Sequence, residues 1–154
     1  MARAKEAEAM NETVAKMLFE QQLTMIPERL LSLRDWHIYD TTYPVFDVGF
    51  RNGNRSEVRV RMHCDHWNEQ PPSVRLLGAD GQLLIAIPRD PAGIFNPGPH
   101  PLTVAPFLCM RGSREYHTHP SHLTDDWSLC RHQSGYDLGG ILTQIWQAWR
   151  KAQP

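Results

Sequence analysis

The stretch Val45–Cys64, VFDVGFRNGNRSEVRVRMHC, decides the fold. Val45, Asp47 and Gly49 alternate with Phe46, Val48 and Phe50. Beyond a short interruption, Val58, Val60 and Met62 alternate with Arg59 and Arg61. A two-residue period sends successive side chains to opposite faces of a pleated strand. The interruption Arg51–Arg55, RNGNR, carries the Asn-Gly pair whose tolerance of positive φ suits a tight hairpin turn. The segment therefore reads as two antiparallel strands with one wet face.

Working outward, Trp36–Tyr43 is rich in aromatic and β-branched residues and supplies a preceding strand. On the other side, Asn68–Pro72 punctuates the chain and Ser73–Leu77, SVRLL, resumes as a fourth strand. A turn at Ala79-Asp80-Gly81 leads into Gly81–Pro88, GQLLIAIP, which reads as one more short strand. Residues 3–34 read as helix, with Ala7, Met10, Val14, Met17, Leu18 and Gln21 at three- and four-residue steps. Pro27 interrupts that helix unless it opens a second one, so Thr24–Ile26 is the joint. The short helix that follows carries Leu30, Leu31 and Leu33. The first segment is expected to be a packing helix or a mobile arm, which divides the chain into an arm (1–26) and an α+β domain (27–154). A last helix, Leu138–Lys151, has a stripe of Leu138, Ile141, Leu142, Ile145 and Trp149, widened by Trp146, with Asp137 placed to cap it. The expected architecture is α+β: an antiparallel four-stranded β-meander with flanking helices.

Composition excludes several classes. Net charge is −1, and no basic stripe interleaved with aromatics is present, so neither nucleic acid nor an anionic membrane surface is an expected partner. Cys64, Cys109 and Cys130 are odd in number and widely spaced, which suits reduced thiols in a cytoplasmic protein. The first ten residues, MARAKEAEAM, lack the apolar core of a signal peptide, and no apolar run is long enough for a bilayer.

The chemistry gathers late in the chain. Residues 89–106, RDPAGIFNPGPHPLTVAP, hold five prolines and two glycines, which rule out helix and disfavour a central strand. An irregular loop held on the body by Ile94, Phe95, Leu102 and Val104 is expected, leading directly to Cys109. Phe107–Trp127, FLCMRGSREYHTHPSHLTDDW, then places Cys109, Glu115, His117, His119 and His122 within fourteen residues. Thiolate, carboxylate and imidazole are all ligands that zinc accepts in a tetrahedron, although C-x5-E-x-H-x-H-x2-H is not a common zinc-finger spacing. Alternatively Cys109 is a nucleophile, its thiolate favoured by Arg111, Arg114 and the histidines. A thiolate committed to zinc is not a free acyl acceptor, so the two chemistries compete for Cys109. The run His63-Cys64-Asp65-His66 reads as a strand end entering a turn, and Cys130 and His132 as packing and surface. Ser-x-x-Lys, Gly-x-Ser-x-Gly and phosphate-loop signatures do not occur.

These motifs carry two resemblances. Pro71-Pro72-x-Val74, then His100-Pro101, Cys109, Trp127 and the helix containing ILTQIW resemble, in order, segments of the ubiquitin-conjugating enzyme fold and its RWD and inactive-variant relatives. That resemblance covers residues 27–150. The string from Cys109 through Glu115 to the histidines resembles the signature of the bacterial CEHH family of predicted metal-binding proteins, associated with ubiquitin-like conjugation operons. It implies Cys109, Glu115 and two of His117, His119 and His122 as metal ligands, His117 and His122 preferred, with zinc as the metal and no organic cofactor. The conjugating-enzyme resemblance implies Cys109 as thioester nucleophile with His100 beside it, and a ubiquitin-like protein and its activating enzyme as partners. Leu102 stands where that family carries the asparagine that steadies the oxyanion during lysine attack. The leading expectation is a thioester carrier for a bacterial ubiquitin-like pathway. Its alternatives are a non-catalytic zinc-binding adaptor and a zinc hydrolase with Glu115 as general base.

Overall fold

Residues 36–77 fold as the alternation requires. In the computed structural model, which describes residues 1–152 (7–10 by their backbone alone), strands β1 (Trp36–Asp40), β2 (Val45–Asn52), β3 (Arg55–His63) and β4 (Ser73–Leu77) form one sheet in the order β1-β2-β3-β4. All three pairings are antiparallel, with Val48 opposite Val60 and Phe46 opposite Met62 in the central hairpin. Asn52 pairs with Arg55, and Gly53 sits in the turn at φ +54°. Phe46, Val48, Phe50, Val58, Val60, Met62, Val74 and Leu76 enter the core from the sheet.

Helix α4 (Leu138–Lys151) supplies the other half of that core through Leu138, Ile141, Leu142, Ile145, Ala148 and Trp149. Each such side chain contributes roughly 1.5–3 kcal/mol of transfer free energy before entropy is counted. Asp137 caps the helix as expected, its Oδ1 accepting the Gly140 N–H at 2.7 Å. Helix α1 (Ala2–Thr24) packs on the same core with Ala15 and Phe19, so the expected arm shares the domain's interior. Its buried face differs from the expected stripe. Of that stripe Leu18 packs inward, but Val14, Met17 and Gln21 are exposed, and Ala15, Phe19 and Gln22 turn inward in their place. Several registers of three and four fit this sequence, and the sheet selects the one that buries a phenylalanine. Side chains Ala7 and Met10 of that stripe, and residues 153–154 of the expected domain, lie outside what the structure describes. Helix α2 (Glu28–Arg34) begins at Pro27 and leaves Leu33 exposed.

Two further expectations are corrected. The outer face of the hairpin is not simply wet. Asp47 is fully buried, held by Arg59 at 2.7 Å and Arg61 at 2.8 Å, and the Arg59 guanidinium lies 3.8 Å from the Tyr39 ring centroid. Gly81–Pro88 forms no strand. Its backbone is tied to β4 by a Leu77–Leu83 bridge and the Leu84 N–H on the Leu76 carbonyl; Leu84 and Ile87 pack on the core, and Ile85 is left exposed. Its apolar residues do not alternate, so no register buries them all against a sheet edge.

The proline-rich segment is an ordered loop, as expected. A two-residue ribbon, β5 (Phe95–Asn96) on β6 (Phe107–Leu108), closes it at the base. Ile94 and Phe95 pack inward, but Leu102 and Val104 project to solvent at 72% and 75% exposure. His100 takes their place as the buried anchor. No described helix is long and apolar enough to cross a membrane.

Candidate functional site

Cys109 follows β6 directly, with its backbone N–H on the Ile94 carbonyl at 2.7 Å, so the ribbon fixes where the thiol emerges. Its side chain is part-buried, unlike Cys64 and Cys130, which are enclosed in the core. The chain then turns at Gly112, whose φ of +103° favours glycine and where a Cβ would press on Ile141 at 3.3 Å. Ser113 caps the short helix α3 (Arg114–Thr118) by accepting the Tyr116 N–H, and a 3-10 turn over Pro120–His122 follows. This compact path brings His122 back beside the cysteine. The Cys109 Sγ lies 3.4 Å from His122 Nε2.

The imidazole is steadied by a ring. Tyr116 stacks on His122 with centroids 4.0 Å apart and planes 15° from parallel. The Tyr116 hydroxyl donates to Asp125 Oδ2 at 2.7 Å, and Arg111 Nε donates to the same oxygen at 2.9 Å. Asp125 thus anchors the support of the site, and sequence reading missed both it and Tyr116. The one local signal is the serine cap, which places Tyr116 in the first turn of a helix.

Helix α3 is tied to the sheet by its first two residues. The Arg114 N–H meets the Pro72 carbonyl at 2.8 Å, and its guanidinium reaches the Pro71 carbonyl at 3.1 Å and Asp65 Oδ1 at 2.8 Å. Glu115 is buried at 2% exposure. Its Oε1 accepts from the Ser73 hydroxyl and the Val74 N–H, both at 2.8 Å. Burial raises the Glu115 carboxyl above its usual value of 4.5, and the donors of β4 oppose that only in part.

The remaining predicted residues are spent on the fold. His117 Nδ1 donates to the Asp125 carbonyl at 2.7 Å and Nε2 accepts from the Gly112 N–H at 3.1 Å, so the ring is neutral, and burial lowers its pKa. His100 is 1% exposed; its Nε2 donates to the Glu115 carbonyl at 2.8 Å while Nδ1 accepts the Leu102 N–H at 3.1 Å. With both nitrogens engaged by main-chain groups it holds the loop. His119 stacks on Phe107 and bonds Ser121 through Nδ1, its ring 5.9 Å from that of His122. Among the described residues no three His, Cys, Asp or Glu side chains form a group able to hold a metal ion. Cys109 and His122 offer two corners of a tetrahedron, but Glu115 and His117 have turned their lone pairs elsewhere, so the set read from the sequence does not fit zinc as it stands.

The arrangement suits a thiol whose proton is taken at the moment of attack. Burial pushes the Cys109 pKa up, which favours the neutral thiol at rest, and His122 Nε2, in the tautomer that carries its proton on Nδ1, is placed to accept the thiol's proton. The second cluster, His63 to His66, is the strand end it was expected to be: Cys64 is in the core, Asp65 pairs with Arg114, and His66 Nδ1 meets Glu12 at 2.7 Å.

A family model described as Y4jH-like (Y4jH family) matches residues 100–152, from the buried loop histidine to the end of α4. A curated relative, "Uncharacterized protein y4jH" of Sinorhizobium fredii, is 50% identical over 40 residues. That alignment covers 26% of this chain and spans only about a fifth (20%) of the relative's own length.

Proposed function

We propose that this protein is a thioester carrier of ubiquitin-conjugating-like architecture, and that Cys109 accepts the C-terminal glycyl group of a ubiquitin-like protein from its activating enzyme in the bacterial cytoplasm. The observation that carries the reading is the part-exposed Cys109 Sγ 3.4 Å from His122 Nε2, at the mouth of a proline-rich loop beside a four-stranded meander. The order of meander, proline loop, cysteine and closing helix supports the fold assignment. In the transfer, the Cys109 S–H proton passes to His122 Nε2 as sulfur bonds to the thioester carbonyl carbon. The donor's C–S bond then breaks, and its departing thiolate takes a proton from His122. Thiol-to-thioester exchange is nearly balanced, so access and one base suffice. Attack by an amine on the loaded thioester forms the amide as the Cys109 C–S bond breaks, and the proton lost from the amine returns to the departing Cys109 thiolate through His122. With an exposed Leu102 in place of the asparagine, that step draws its oxyanion stabilisation from elsewhere in the site. No step is routed through a metal, because Glu115 and His117 would have to abandon their bonds to Val74 and Gly112.

The test is incubation with the activating enzyme, ATP and the ubiquitin-like protein. A mass shift equal to the ubiquitin-like protein, abolished by reductant and by Cys109→Ala, is expected, and His122→Ala is expected to slow it. Absence of any adduct on well-folded protein, or an adduct that survives Cys109→Ala, overturns the reading; bound zinc lost on Cys109→Ala would favour the adaptor in its place.

A further inference from the structure

Away from Cys109, three guanidinium groups gather on tryptophan faces. Arg34 lies 4.9 Å from the Trp36 ring centroid and 4.6 Å from that of Trp146; Arg150 lies 4.9 Å from Trp146, and Arg55 4.2 Å from Trp149. None of the three has a carboxylate within ion-pair distance among the described residues, whereas Arg51 is paired with Glu57 at 2.8 Å. A cleft of about 240 Å³ opens between α2, the β2–β3 turn and the end of α4. Arg34, Arg51 and Arg150 line it, together with Gly53 and a single acid, Asp35. Arg34 Nη1 donates to the Thr143 hydroxyl at 2.7 Å, which fixes the guanidinium in place. Arg55 Nη2 is buried with no acceptor.

Stacking alone explains arginines that cover an aromatic core edge. It does not explain why, of these four, the three that stack lack counter-ions and two of them line one concavity. Arg34 is part-buried and unpaired, which is costly, and an anion placed in the cleft offsets that cost; Arg150, exposed at the edge, is free to close on it. We propose that this cleft is a binding site for a phosphate group, gripped by Arg34 and Arg150 with Arg51 at the rim. Phosphate fits better than carboxylate because its oxygens point in several directions and engage more than one guanidinium at once. It also carries about −1.5 to −2 charges near neutral pH, enough to outweigh Asp35. None of the lining residues belongs to the Cys109 site, so the inference stands apart from the thioester reading.

Titration of the full chain with inorganic phosphate, followed through the indole N–H signals of Trp146 and Trp149 and the Gly53 amide, tests it. Saturable shifts confined to these signals are expected, absent with sodium chloride at matched ionic strength. A parallel titration with adenosine monophosphate separates sources: tighter binding than inorganic phosphate assigns the site to a phosphomonoester, and equal binding to the phosphate group alone. Arg34→Gln with Arg150→Gln should abolish saturation. Should that pair unfold, Gly53→Asp serves. A Cβ there meets nothing within 4 Å, aspartate enters the left-handed region at a modest backbone cost, and its charge should weaken binding roughly tenfold. Non-saturating shifts equal to those with chloride, or saturation unchanged in both variants, overturn the proposal.

Discussion

Tyr116 lies flat against His122, and its hydroxyl is pinned on Asp125. The stack fixes the imidazole plane while leaving Nε2 turned to the Cys109 sulfur. An aromatic contact of this kind is worth about 0.5–1.5 kcal/mol, a few-fold to roughly tenfold in the population of the reactive pair. Tyr116→Ala should therefore slow alkylation of Cys109 by iodoacetamide by about that factor. Tyr116→Phe, which keeps the ring, should leave the rate near that of the parent. Equal rates in all three proteins would show that the stack does not position the base.

Burial raises the pKa of Cys109 above its usual 9.0, so the thiolate is scarce at neutral pH. The alkylation rate should climb steadily with pH and show no plateau below about pH 9. One thiol should react in the folded protein and all three in denaturant, because Cys64 and Cys130 are enclosed. A plateau near neutrality would mean a thiolate–imidazolium pair at rest.

The neutral, half-buried His117 makes a signed prediction for stability. Its folded pKa lies below the usual 6.5, so the unfolded chain binds more protons as pH falls through that value, and stability is lost there. Urea midpoints should drop on acidification from pH 7 to 5, less steeply in His117→Gln than in the parent. An unchanged slope would place the acid sensitivity in another group.

Asp47 is the counter-charge for both Arg59 and Arg61 on the outer face of the sheet. Removing it strands the Arg59 guanidinium, which is nearly buried. Asp47→Ala should cost about 3–5 kcal/mol by urea unfolding. Asp47→Asn, which retains the acceptor oxygen, should cost distinctly less.

How much of this was legible in the sequence follows from the range of the interactions. The hairpin, the fourth strand and α4 were readable because their period and caps are local: Asn52-Gly53 sets the turn and Asp137 the helix start. The face of α1 was not readable, since Ala15 and Phe19 are chosen by a sheet formed later in the chain. The density of ligand types around Cys109 drew attention to this segment. It did not reveal that Glu115 and His117 serve the backbone of Val74 and Gly112, or that His100 serves the loop. Those allegiances are between side chains and main-chain groups brought together only by tertiary packing, which residue type alone does not encode. The pairing of Cys109 with His122 was within reach, one of three histidines already in view.

Arg114 and Glu115 clasp the Pro71–Val74 segment at the start of β4 from one side, while Cys109 is bonded to Ile94 on the other. The cysteine's surroundings therefore belong to the same cooperative unit as the sheet and open when the strand opens. Amide exchange at Val74 and at Cys109 should share one opening rate, which would give an irregular stretch of chain the lifetime of a β-structure.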